Sequence, residues 1–158
     1  MPRTLQQDTG CDARSARQQA ILAATFFLLT HGRAPRALIA DGDAVTRERM
    51  RLALSQRGFL VAIASHAEAT CRVLGQRTDE LPVDVLFIAR PLAAALDGRL
   101  GGWARSGITV AVTHALTVEA GAPAALDRVL VRVCQGHAAP SPSGAETLES
   151  SASRTRVA

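Results

Sequence analysis

From residue 36 onward, short apolar runs alternate with longer and more polar stretches. The runs are Arg36–Ala40 (RALIA), Leu60–Ala64 (LVAIA), Val83–Ala89 (VDVLFIA), Ile108–Thr113 (ITVAVT) and Arg128–Val133 (RVLVRV). Their length and their β-branched content predict five strands. Between the first two, Val45–Arg57 places Met50, Ala53 and Leu54 at i, i+3 and i+4, the spacing of a helix face, and Gly58 closes it. Ser65 and Glu68 form a capping-box pattern that opens a helix to about Arg77. Pro91–Ala95 reads as a loop, Arg99–Arg105 as a helix interrupted by Gly101-Gly102, and His114–Ala125 as a poorly marked segment. Strands that are continuously apolar and alternate with helices imply an α/β fold with a parallel sheet buried on both faces. The natural arrangement is a doubly wound five-stranded sheet in the order 2-1-3-4-5.

The flanks differ from this centre. About 13–31 lacks proline and glycine and predicts a helix, stopped by Gly32 and Pro35. Its second half is apolar almost all round, so something must cover it. Ala20–Leu29 is too short to cross a membrane, which takes about twenty apolar residues. Arg14 and Arg17 before an apolar run also suit a signal peptide. Asp8, Asp12 and the Arg33 that follows favour a packed helix instead. Residues 138–158, rich in Ser, Ala and Pro, read as a disordered tail. The chain thus divides into an extension at 1–35, a domain at 36–137 and the tail. With no helix evident after the fifth run, the N-terminal helix is expected to cover the sheet face left open.

Composition removes several function classes. Of 158 residues, 47% are hydrophobic and 20% charged, which supports a core. The net charge of +4 comes entirely from Arg, dispersed rather than clustered, and the chain has one Trp and no Tyr. A nucleic-acid partner is therefore not expected. Cys11, Cys71 and Cys134 are too far apart for a zinc knuckle, and the four His form no HxxxH pair. No glycine-rich phosphate loop or nucleophile triad is present, so no cofactor and no enzymatic activity are expected.

In a doubly wound sheet, chemistry sits beyond the carboxyl ends of the strands. Asp41-Gly42-Asp43, Ala89-Arg90, Thr113-His114 and Arg132 fall there. Asp41 and Asp43 are oxygen donors suited to a hard cation. For Asp43 the favoured reading is a cap on the helix that follows it.

These residues carry a resemblance. Ala37–Gly58 (ALIADGDAVTRERMRLALSQRG) resembles the opening of a response-regulator receiver domain, where an apolar strand ends in an acidic pair and a helix leads to a Gly-aromatic step. Asp84–Pro91 (DVLFIARP) resembles its phosphorylated strand, and Asp97-Gly98 the Asp-Gly that follows. The resemblance covers about 36–134. It implies a flavodoxin-like receiver with an extra N-terminal helix and a degenerate C-terminal helix. It places Ala89 at the phosphoacceptor position, Gly42 at the second acid, Thr113 at the switch hydroxyl and Arg132 at the usual Lys. An alanine methyl cannot attack phosphorus, so phosphoryl transfer is expected to be absent. No metal is expected, Asp41 being the residual ligand candidate, and Arg132 or Arg90 is expected to balance it. The implied role is a phosphorylation-independent module of two-component-type signal transduction. It would act in the cytoplasm through an unidentified signalling protein or as a homodimer, with no membrane partner. A nucleotide- or metal-binding α/β protein or enzyme, or a receiver remnant without function, stays open as an alternative.

Overall fold

The computed structural model describes residues 8–75, 82–113 and 123–136. It is an α/β fold with a parallel four-stranded sheet in the order β2-β1-β3-β4. The elements are α1 (Asp8–His31), β1 (Arg36–Ala40), α2 (Ala44–Ser55), β2 (Leu60–Ala64), α3 (Ala67–Gly75), β3 (Val85–Ala89), α4 (Arg90–Ala95), α5 (Asp97–Arg105), β4 (Thr109–Thr113) and α6 (Pro123–Gly136).

Alternation along the central strands builds two cores. Ala37, Ile39, Val85 and Phe87 face one side, where they meet Ala20, Ala24 and Phe27 of α1, Met50 and Leu54 of α2, and Leu130, Val133 and Cys134 of α6. Leu38, Ala40, Leu86 and Ile88 face the other, against Leu74 of α3, Ala93 of α4 and Leu96. Every residue of β3 is buried, as a central strand covered on both faces requires. Gly58 turns the chain from α2 into β2 with φ of +85°, a conformation that favours glycine. Phe59 can then enter the core.

The fifth predicted strand is a helix. Arg128–Val133 lies inside α6, so the described sheet has four strands and its order ends at β4. The run VLVRV fits a two-residue period, but Leu126, Leu130, Val133 and Cys134 also recur at three- and four-residue spacing, and that face meets α1. The expectation of a missing C-terminal helix fails with it: α1 packs beside α6 on that face rather than replacing it.

Smaller differences have local causes. Pro91–Ala95, expected as a loop, belongs to α4, because proline is tolerated in a first turn, where its missing N–H is not needed. The expected Ser65–Glu68 capping box does not form, because the helix begins at Ala67 and Glu68 lies in its first turn. His66 Nδ1 accepts from Ala69 N–H (3.2 Å), while Glu68 reaches forward to Arg72 (3.1 Å). The helix after the loop begins at Asp97 rather than Arg99, and α1 begins earlier than expected, at Asp8. The predicted tail at 138–158, most of His114–Ala125 and the end near Arg77 lie outside the described residues.

Two ion pairs, one buried and one with a partly exposed arginine, hold the helices in place. Asp127 of α6 is fully buried and receives Nε and Nη2 of Arg57, itself buried at the end of α2. Asp84, just before β3, accepts both terminal nitrogens of Arg33 at 2.8 Å and the Arg36 N–H at 2.8 Å. Arg33 also lies over the Phe27 ring, fixing the end of α1 against the sheet.

Candidate functional site

The strand register brings the candidate residues into one row. Ala40 of β1 pairs with Ile88 of β3, so Asp41, one residue on, lies at the level of Ala89. Ala89 pairs in turn with Thr113 of β4. A cleft of about 350 Å³ opens there, lined by Asp41, Gly42, Asp43, Ala89, Arg90, Pro91, Leu92 and Thr113.

Local hydrogen bonds hold the two acids. Asp41 is buried, and its Oδ1 accepts the Asp43 N–H at 2.8 Å. Its backbone carbonyl accepts Nη1 of Arg47 at 2.6 Å. Asp43 caps α2: Oδ2 accepts the Thr46 N–H at 2.8 Å and the Thr46 hydroxyl at 2.5 Å. The Thr46 hydroxyl, followed by its N–H, holds the Asp43 carboxyl below its ordinary pKa. A lowered carboxyl pKa contributes stability above the unfolded-state value and loses it as pH falls through the folded-state value. Asp43→Ala is therefore expected to lower the melting temperature at neutral pH and to flatten its fall in acid. Asp43→Asn should retain the cap but not the pH dependence, and melting curves from neutral to acidic pH measure both.

The cleft gathers Asp41, Asp43, Ala89, Arg90 and Thr113, but not Arg132. Because Arg128–Val133 is helical, Arg132 projects into a hollow between α1 and α6 with Ala16, Gln19 and Asp127. The expected pairing of Asp41 with Arg132 or Arg90 does not form: among the described residues Asp41 makes no ion pair with either. Its carboxylate is satisfied by a backbone N–H and opens on the cleft, so a guanidinium is not needed there. Sequence reasoning missed Arg47, whose placement six residues after Asp41, in the first turn of α2, was the available signal.

Chemically, the row offers two acceptor carboxylates, one hydroxyl and an exposed guanidinium around a methyl group. Among the described residues, no three His, Cys, Asp or Glu side chains come together to hold a metal. The described thiols lie elsewhere: Cys71 on α3 is half-buried, and the Cys134 thiol on α6 is pushed up to about 11, chiefly by burial. No helix of the described residues is long and apolar enough to cross a membrane. No protein-family model, curated protein or solved structure matches the chain.

Proposed function

We propose that this chain is a receiver-like module of two-component-type signalling that has lost phosphoryl transfer and acts, in the cytoplasm, by binding a signalling protein. The observation that carries the reading is the row Asp41–Ala89–Thr113 across three adjacent parallel strands. An acid and a hydroxyl flank the end of the central strand, where a receiver holds its nucleophilic aspartate and where this chain has a methyl. Among the described residues the sheet order 2-1-3-4 is compatible with a flavodoxin-like fold. The Lys-like role given to Arg132 is withdrawn, since that residue lies away from the cleft.

Acetyl phosphate with Mg²⁺ is expected to leave the intact mass of the full chain unchanged. A base-labile phosphate adduct would overturn the reading. The cleft can also be re-acidified: a Cβ on Gly42 meets nothing closer than the Ser65 carbonyl at 4.0 Å. Ala89 lines the cleft and is the N-cap of α4, where a carboxylate would face the helix's N-terminal N–H groups. The double variant Gly42→Asp/Ala89→Asp crowds like charges, which a divalent cation relieves. It should gain Mg²⁺-dependent stability of roughly 1–3 kcal/mol at saturating metal, with none in the parent. If Mg²⁺ does not raise its melting temperature, the cleft is not built as a receiver's is.

A further inference from the structure

We infer that the chain forms a symmetric dimer through the outer face of α1 and the groove between α1 and α6. Ala20, Ala24 and Phe27 use one side of α1 for the core. On the opposite side Leu22, Phe26 and Leu29 are 62%, 66% and 79% exposed. Their i, i+4, i+7 spacing lines them up as a single stripe. No Asp, Glu, Lys or Arg occurs between Arg17 and Arg33. A charge-free centre built on aliphatic and aromatic side chains is the composition of an interface core.

A second copy is the occupant that fits. A two-fold interface joins one patch to itself, so the patch must hold both projections and the recess that receives them. Both are present. Beside the stripe lies a hollow of about 450 Å³, floored by Ala23 of α1 and by Val131 and Cys134 of α6, with Leu22 and Phe26 on its rim. Phe26 of each copy can enter the hollow of the other, setting two α1/α6 pairs against each other as a four-helix layer. Covering the stripe and the lining of the hollow (Gln19, Ala23, Val131 and Gln135) on both copies removes on the order of 1,000 Å², where specific interfaces begin. A lipid surface fits less well, because helices that lie in a membrane interface carry cationic residues on their polar face, whereas this helix has none between Arg17 and Arg33. The inference stands apart from the receiver-like reading, since it uses no residue of the cleft.

Sedimentation velocity of the full chain across the micromolar range should show a dimer. Phe26→Lys and Leu29→Glu should each yield a folded monomer whose melting temperature no longer rises with protein concentration, because neither side chain belongs to the core. Val45→Lys, at an exposed apolar residue of α2, should remain dimeric. A monomeric parent overturns the proposal. So does a parent that is monomeric and co-sediments with anionic vesicles, or one that dimerises only once 137–158 is removed. A dimer that survives both α1 substitutions overturns it as well.

Discussion

Removal of residues 1–34 is expected to yield a domain that is unfolded or aggregates at room temperature. The deletion takes Ala20, Ala24 and Phe27 out of the core and uncovers Leu130, Val133 and Cys134 of α6 together with part of the sheet. Phe27 is fully buried and stacked on His31 at 4.1 Å. Truncating such a phenylalanine to alanine costs about 3–5 kcal/mol, and the deletion removes its neighbours too. Arg33 is lost as well, taking two hydrogen bonds from the buried Asp84 carboxylate. Since Arg33 is a third exposed, that loss is smaller, about 1–3 kcal/mol. Domains of this size are stable by roughly 5–15 kcal/mol, so the combined loss consumes most of the margin. Thermal melts and the soluble fraction measure it. An unchanged melting temperature would show that α1 is not part of the folded unit. Phe27→Ala alone should reproduce a large share of the effect, whereas Leu29→Ser, on the exposed side, should not change the monomer's stability.

Asp127→Leu is expected to be about as damaging as a large core truncation. Its carboxylate has no solvent exposure, and its partner Arg57 is 6% exposed. Removing the acid leaves a guanidinium charge desolvated without compensation, at a cost of about 3–5 kcal/mol. Arg57 keeps only its bond from Nη1 to the Ala53 carbonyl, which does not neutralise it. The double variant Arg57→Met/Asp127→Leu should recover most of the loss, because two well-packed apolar side chains avoid both desolvation penalties. Urea unfolding of the two single variants and the double variant gives the coupling directly. A loss below about 1 kcal/mol for Asp127→Leu would place the pair in solvent rather than between α2 and α6.

The pair also marks where the sequence is silent. Arg57 reads as the polar end of an amphipathic helix, and Asp127 as one acid in an unmarked stretch, seventy residues away. Nothing local signals that each is buried on account of the other. The central strands are legible for the opposite reason. LIA and VLFIA are buried on both faces, so their burial follows from apolar continuity whichever neighbours they meet. Asp43 is legible too, because capping joins a side chain to a backbone three residues on.

Sequence by itself therefore determined the α/β class, four of the strands, the helix cap at Asp43 and the gathering of Asp41, Ala89 and Thr113 at one sheet end. It did so because those features depend on period, on short-range hydrogen bonds and on the rule that parallel strands end together. Tertiary structure alone decided the fate of Arg128–Val133. That run satisfies both the strand and the helix period, and the choice fell to what it could pack against. The helix α6 that it joins offers Leu130, Val133 and Cys134 to α1 and Asp127 to Arg57. The same choice moved Arg132 from the cleft to the helix surface, since residue 132 faces wherever its element turns it.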